Sequence, residues 1–169
     1  MNVFSMPVPT RPDPAIAGQC LVRRGDLLLR SFRCNDADTV RFQAREYLRL
    51  AQANPHGNSF GNAVHQANTI LGLLALEENR IDHAVEYLNA AASTPGSSQL
   101  RGFGPNMLLA QKLLVAGRTR AVLRYLDRCG KFWKLSFGRL WLWKVAIRSG
   151  RVPDFGANLS HLLDPKSFG

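Results

Sequence analysis

The spacing of apolar residues predicts helices along most of this chain. From residue 36 onward, apolar side chains recur three and four positions apart, which places them on one face of an α-helix. No stretch alternates apolar and polar residues over a sustained run, as a half-buried strand would. The sequence therefore predicts an all-α protein, with helices at about 36–54, 59–77, 81–94, 105–116, 119–129, 132–148 and 154–163.

The first 35 residues carry a weaker pattern. Residues 1–19 contain four prolines and little periodicity, which predicts a flexible N-terminal arm. Between residues 20 and 35, Leu27, Leu28 and Phe32 have helical spacing, although the Arg-Arg-Gly-Asp sequence beside them could also turn a hairpin. We expect a helix here. The predicted single domain is then 20–163, followed by a C-terminal tail at 164–169.

One sequence skeleton occurs twice, forty residues apart. Residues 44–55 read AREYLRLAQANP and residues 84–95 read AVEYLNAAASTP, so both follow Ala-x-Glu-Tyr-Leu-x-x-Ala-x-x-x-Pro. Alignment of the turns that precede these segments places Ala44, Ala84 and Val122 at equivalent positions. Such a repeat is typical of stacked helix hairpins that share one hydrophobic seam. A non-repeating helical bundle is the alternative.

The best-defined unit, residues 69–96, resembles a tetratricopeptide repeat (TPR). Leu71-Gly72 match the Leu-Gly pair of that family's first helix, Ala84 follows twelve residues after the glycine, and Leu88 fills the large apolar position. The unit spacings of 40, 38 and 33 residues depart from the family's usual length, and Val122 stands where alanine is usual. The resemblance implies a right-handed superhelical array of about three to four antiparallel hairpins, a TPR-like α-solenoid, at 20–55, 58–96, 104–130 and 132–163.

In that family the first helices line a groove that binds peptides, and the resemblance implies the same here. The repeat phase, carried along the chain, gives six candidate groove residues. They are Met107, Gln111, Phe137, Leu140, Lys144 and Arg148. Because Lys144 and Arg148 lie one helical turn apart, they suit a carboxylate or phosphate group. The groove is therefore expected to be basic at its C-terminal end.

The net charge of +10 is concentrated in forty consecutive residues. Residues 112–151 hold eleven Lys and Arg and a single acid, Asp127, whereas the rest of the chain is nearly balanced. Arg120, Arg124 and Arg128 form an i, i+4, i+8 row that Lys131 continues. This row is either a solvated basic face or the footprint of an acidic partner.

Aromatic residues accompany the basic segment. Trp133, Phe137 and Trp141 recur at four-residue steps within the helix predicted at 132–148. At this spacing they would share one helix face, which we expect to pack in the core. A platform on which nucleic-acid bases stack is the alternative.

Residues that could carry catalysis or bind a metal are scattered. The four histidines form no metal-ligand motif, and the three cysteines have no C-x-x-C spacing. The sequence thus predicts no catalytic residue, metal or cofactor, and His65 is expected to make hydrogen bonds at the surface or in the groove. The odd number of cysteines favours a reducing, cytoplasmic location. No apolar run approaches the roughly 18 residues that would cross a bilayer.

These patterns favour a non-catalytic adaptor or scaffold that binds a protein or peptide of acidic character. RNA binding through residues 112–151 is the alternative, although the sequence has no recognisable RNA-binding motif. An enzyme has no residue constellation in its favour, and no membrane partner is expected.

Overall fold

Helices make up most of the chain that the structure describes. The computed structural model describes residues 14–34 and 36–164, with side chains from residue 18, and within these ranges it contains helices and no strand. The all-α prediction is confirmed for these residues. The helices are α1 Pro14–Arg33, α2 Ala37–Gln52, α3 Phe60–Glu77, α4 Ile81–Ala91, α5 Ser98–Gly102, α6 Leu108–Val115, α7 Thr119–Cys129 and α8 Arg139–Arg148, followed by a 3-10 turn, Gly156–Leu159.

Helix α1 resolves the ambiguous N-terminal segment in favour of a helix. It begins at Pro14, a residue type favoured at the first helical position, and so includes the last residues of the predicted arm. Leu21, Leu28 and Leu29 point inward on one face of α1. Gly25 lies on the same face, where an added Cβ would be 3.0 Å from the hydroxyl of Tyr47. The remainder of the predicted arm, residues 1–13, and most of the predicted tail lie outside the described residues.

The prediction of one continuous helix at 132–148 was wrong in its first half. Residues 132–138 form turns, and α8 starts only at Arg139. Phe137 and Gly138 have φ angles of 46° and 81°, in the left-handed region that a helix interior does not accommodate. The predicted helix at 154–163 is likewise reduced to the 3-10 turn and its flanking turns.

The loop between α4 and α6 also differs from the prediction. It contains the short helix α5, where Ser97 caps the N-terminus by accepting a hydrogen bond from the Leu100 amide at 3.0 Å. Helix α6 begins at Leu108, three residues after the predicted start at Pro105. Pro105 lies in the buried loop that leads into α6.

The helices pack mainly on their neighbours in sequence. Helix α2 packs on α1 and α3, α4 on α3, α6 and α7, and α7 also on α8. Two hydrophobic clusters result, one built on α1, α2 and α3 and the other on α3, α4, α6, α7, α8 and the C-terminal segment. Because α3 contributes to both clusters, it is the central element of the core.

Small residues allow close approach within this core. Ala44, Ala84 and Val122 are all fully buried, the first in one cluster and the other two in the second. A Cβ added to Gly72 of α3 would lie 2.3 Å from Leu109 of α6. Any larger residue at position 72 would therefore force the Leu109 side chain to move.

Candidate functional site

The chain's own C-terminal segment, residues 153–164, packs against α3 and the loop that precedes α6. The side-chain amide of Gln66 donates to the Leu162 carbonyl at 2.7 Å, and the side-chain amide of Asn106 donates to the His161 carbonyl at 2.8 Å. Leu162 is fully buried and Phe155 nearly so. This segment therefore covers Gln66 of α3 and also Met107, which the repeat phase assigned to a peptide groove.

The same segment fixes the loop at 103–107. The Met107 amide donates to the Asn158 carbonyl at 2.8 Å, and the Asn158 side chain donates to the carbonyls of Phe103 and Pro105 at 2.9 Å each. Asn106 and Asn158 are almost completely buried. Sequence reasoning missed this network, because asparagines in a coil carry no periodic signal.

His65 completes the network from helix α3. Its Nδ1–H donates to the Ala91 carbonyl at 2.9 Å, and its Nε2 accepts from the backbone amide of Asn106 at 2.8 Å. The expected hydrogen bonds of His65 are therefore present, but the ring is fully buried and does not lie at the surface. Burial lowers the pKa of His65 to about 4, which keeps the imidazole neutral in the form that makes both hydrogen bonds.

Two of the six candidate groove residues belong to the core. Met107 is fully buried, and Leu140 packs in the same hydrophobic cluster as Trp143 and Ile147. Neither side chain is available to a partner, so their assignment as contact residues was wrong. The physical reason is that the C-terminal segment covers Met107 and that the inward face of α8 carries Leu140.

The other four candidates lie on three different elements of the structure. Gln111 is half-buried on α6, whereas Phe137 is 85% exposed on the turn that precedes α8. Lys144 donates to the Asp127 carboxylate at 2.9 Å, which ties α8 to α7. Arg148 remains exposed one turn further along α8. Of the predicted pair, Lys144 already binds a carboxylate of this chain, that of Asp127.

The basic row on α7 is exposed along its whole length. Arg120, Arg124, Arg128 and Lys131 all face solvent, while the opposite face of α7 is buried in the core. Arg128 donates to the Asn89 carbonyl of α4 at 3.2 Å. No carboxylate among the described residues pairs with this row. Its charge is therefore available to a partner.

Helix α8 is apolar on two opposite faces. One face buries Leu140, Trp143 and Ile147. The other exposes Trp141 by 64% and Leu142 by 58%, and Val145, which is 40% exposed, lies on the same side of the helix. The prediction that Trp133, Phe137 and Trp141 share a buried face was correct only for Trp133. Because residues 132–138 are not helical, the four-residue spacing does not place the three rings together.

An aromatic contact series fixes the position of α8. The ring of Trp143 lies 5.5 Å from Trp133 and 4.9 Å from Phe155, measured between centroids. The Trp133 Nε1–H donates to the Gly102 carbonyl at 3.2 Å. A Cβ added to Gly104, whose φ is 89°, would lie 2.4 Å from the Trp133 ring, so only glycine fits there. The outward face of α8 is thus presented on a rigid base.

Four exposed cations lie on α8 and on the segment just before it. Arg139 begins the helix and Arg148 ends it, and Lys131 and Lys134 lie on the preceding turn. All four are exposed, and none forms an ion pair with a carboxylate in the part of the chain that the structure describes. The exposed surface of α7 and α8 therefore combines apolar side chains with uncompensated positive charge.

Clusters of metal ligands and membrane-spanning helices are both absent from the described residues. Within 14–34 and 36–164, no three His, Cys, Asp or Glu side chains come together as metal ligands. None of the helices in these ranges combines the length and the apolar character that a bilayer crossing requires. Comparison with protein-family models, curated proteins and solved structures found no match for this chain.

Proposed function

We propose that this chain is a non-catalytic adaptor that binds an acidic protein segment through the basic surface of α7 and α8. We define this basic surface as Arg120, Arg124, Arg128, Lys131, Lys134, Arg139 and Arg148. The observation that carries the proposal is the charge balance of residues 112–151. Their single acid, Asp127, is already paired with Lys144, so nothing within the segment offsets the remaining cations.

The helix packing supports a TPR-like array as the scaffold. Helices α1–α2, α3–α4 and α6–α7 would be three hairpins, with α8 and the C-terminal segment closing the array. Contacts of α2 with α3 and of α4 with both α6 and α7 are those expected between consecutive hairpins. The burial of Ala84 and Val122 in one cluster fits equivalent positions in successive hairpins. In this proposal the partner binds outside the groove, since residues 153–164 fill it.

Electrostatics gives the reason for an acidic partner. Like charges at i, i+4 on one helix are weakly destabilising, so the row Arg120, Arg124 and Arg128 does not serve the stability of α7. A cluster of uncompensated cations raises the association rate of anionic partners and selects against basic ones. Because the row is exposed, salt will weaken its attraction for an acidic partner. At 0.1 M salt, charges more than a Debye length of about 10 Å apart are largely screened from one another.

A charge-reversal experiment tests the proposal. The probe is a fluorescently labelled poly-glutamate peptide, and its binding is followed by fluorescence anisotropy. Replacing Arg120, Arg124 and Arg128 together by Glu should weaken binding by about tenfold or more. The matched control replaces three exposed arginines on α1 and α2 by Glu and changes the net charge equally. The control residues are Arg23, Arg33 and Arg45.

The two outcomes of this experiment are distinct. A loss confined to the α7 variant supports a localised basic surface. Equal loss in both variants would mean that the peptide responds only to net charge, and the assignment of the surface would be wrong. Circular dichroism of both variants checks that helical content is retained.

RNA binding is the second candidate, and one observation favours it. Trp141 and Phe137 are exposed beside cations, an arrangement on which unpaired bases can stack. A labelled single-stranded RNA distinguishes the two functions. With six to ten phosphate contacts, affinity would fall by about 10³–10⁵ between 50 and 200 mM salt. Tight RNA binding with that slope, and no poly-glutamate binding, would replace the adaptor proposal.

A further inference from the structure

Asn106 connects the C-terminal segment, residues 153–164, to helices α3 and α7. Its side-chain amide donates to the carbonyls of Leu159 and His161 at 3.1 and 2.8 Å. On the other side, its backbone amide donates to Nε2 of His65 at 2.8 Å, and its carbonyl accepts from the Tyr125 hydroxyl at 2.7 Å. A change in the hydrogen bonds of His65 therefore acts directly on the residue that holds two carbonyls of the segment.

The hydrogen bond between His65 and Asn106 exists only while the imidazole is neutral. Because Nδ1–H donates to the Ala91 carbonyl, Nε2 carries the lone pair that accepts the Asn106 amide. A protonated imidazole has an N–H at both nitrogens and accepts no hydrogen bond. Protonation of His65 would therefore bring two N–H groups face to face at a fully buried site, and the bond to Asn106 would break.

A second histidine lies on the segment itself. The ring centroid of His161 lies 5.7 Å from that of Phe103, and Nε2 of His161 is buried without a hydrogen bond to any described residue. A charged imidazole at this position would have a buried N–H with no acceptor, whereas water would supply one if the segment moved away. Charge on His161 also lowers the pKa of His65, so the two rings repel one another when both are protonated.

The other groups around the two rings do not offset a positive charge. Helix α4 contributes the neutral Ala91 carbonyl, the loop before α6 contributes Asn106, and α7 contributes the hydroxyl of Tyr125. Burial raises the pKa of that hydroxyl well above its usual value, so it stays neutral. Among the described residues, no carboxylate contributes to the pKa of His65 or His161, and burial lowers both values.

Exposed chain joins the segment to α8. The helix ends at Arg148, and residues 148–152 are all exposed, so the segment can move while α8 stays folded. Phe155 and Leu162 are buried and hold the segment in place while both histidines are neutral. The segment is therefore held by one set of contacts that does not depend on pH and by another that does.

We propose that residues 153–164 form a pH-sensitive latch, which acid releases from α3 and from the loop at 103–107 by protonating His65 and His161. In the released form both rings meet water, where the pKa of a histidine is about 6.5, whereas burial lowers that of His65 to about 4 in the closed form. The released form thus binds protons first, and acid favours it between about pH 6.5 and 4.

Release of the latch would change the surface of the protein. The segment covers Gln66, Met107 and the site that Leu162 fills, so these parts of the core would become accessible at acid pH. None of the hydrogen bonds that hold the segment involves a residue of the basic surface. The inference therefore goes beyond the proposed function and does not rest on it.

Hydrogen exchange of the full chain at pH 7 and pH 5 tests the proposal. The reporters are the backbone amides of Asn106 and Met107, which donate to His65 and to the Asn158 carbonyl. After correction for the effect of pH on the chemical exchange rate, their protection should fall by about twentyfold from the protonation of His65 alone. At pH 5 it should be at least about tenfold lower than that of the amides at 70–74, in the buried second half of α3.

Variants identify the groups responsible. His161→Phe keeps an aromatic contact with Phe103 but cannot take up a proton, so the fall in protection should be at least about twofold smaller than in the wild type. His65→Gln removes the buried imidazole and should reduce the fall to about threefold or less. The matched control, His83→Phe, changes an exposed histidine on α4 and should keep the wild-type fall.

Each of three results would exclude the latch. Equal protection of the reporters and of the α3 amides at pH 5 would show that the segment opens only when the whole chain unfolds. Unchanged protection of the reporters between pH 7 and pH 5 would show that acid does not release it. A wild-type fall in both His161→Phe and His65→Gln would assign the pH dependence to other groups.

Discussion

The side-chain amide of Gln66 donates a 2.7 Å hydrogen bond to the backbone carbonyl of Leu162, a residue 96 positions further along the chain. Gln66 is fully buried in the central helix α3, and the Leu162 side chain is fully buried as well. A segment without α-helix is thereby part of the core. The C-terminal residues thus contribute to stability in the same way as a packed helix.

Replacement of Leu162 tests this role. Leu162→Ala should lower the free energy of unfolding by about 2–5 kcal/mol, because it removes a large side chain from a fully buried site. Urea denaturation followed by circular dichroism measures the change. Leu142→Ala, at an exposed position on α8, is the matched control and should have a much smaller effect. Similar stabilities of the two variants would mean that the segment is only loosely attached.

Ala84 tests the close packing of α4. Ala84→Leu should destabilise the protein by about 1–3 kcal/mol, because three extra carbons enter a fully buried position. Thermal unfolding gives the comparison. Val115→Leu adds a methylene at a position that is 78% exposed and should be nearly neutral. A neutral Ala84→Leu would mean that α4 has free space on its inward face.

The buried histidine predicts a pH dependence of stability. Burial lowers the pKa of His65 to about 4, whereas the unfolded chain keeps the ordinary value near 6.5. Since the unfolded state binds the proton first, stability is full above pH 6.5 and falls between about 6.5 and 4. The slope approaches about 1.4 kcal/mol per pH unit for this group. Burial also lowers the pKa of His161, which acts in the same direction.

A histidine variant isolates this effect. His65→Gln should flatten the fall in unfolding free energy between pH 6.5 and 5, although it also lowers stability at neutral pH through the altered hydrogen bonds. His83→Gln, at an exposed position on α4, should keep the wild-type slope. An unchanged slope in His65→Gln would show that other groups control the acid side of the stability profile.

Loss of the Asp127–Lys144 ion pair should strengthen the binding of poly-glutamate. Asp127→Asn removes the single acid of residues 112–151 and releases Lys144, so affinity for poly-glutamate at low salt should rise by about three- to tenfold. The pair is partly exposed, so its loss should cost at most about 1 kcal/mol of stability. Asp38→Asn makes the same charge change on α2, where Asp38 is 97% exposed, and is the control. Equal gains in affinity for the two variants would mean that the peptide responds only to net charge.

The helical content of this chain follows from its sequence because the apolar spacing is strong where helices pack on several neighbours. Helix α4, for example, runs from Ile81 to Ala91, within the range that the spacing predicts. Its inward residues Ala84, Leu88 and Ala91 are all buried. Local pattern and tertiary packing agree there.

The candidate site was harder to predict because its geometry depends on two backbone features that leave little trace in the pattern. Phe137 and Gly138 interrupt the helix that the apolar spacing continues, so Trp141 faces outward rather than inward. Gly138 is the one local signal of that break. The C-terminal segment binds through carbonyls and asparagine side chains, and those groups have no periodicity to detect.

Helix α3 has a consequence for the way in which the chain is made. Fourteen of its 18 residues are buried, so on its own it would be poorly soluble in water. Helices α1 and α2 are synthesised before it, and α4 follows after only three residues, 78–80. Helices α1 and α2 are therefore available to pack on α3 as soon as it leaves the ribosome. In a circular permutant that begins at Phe60, α3 would be synthesised before them, and we expect that chain to aggregate during translation.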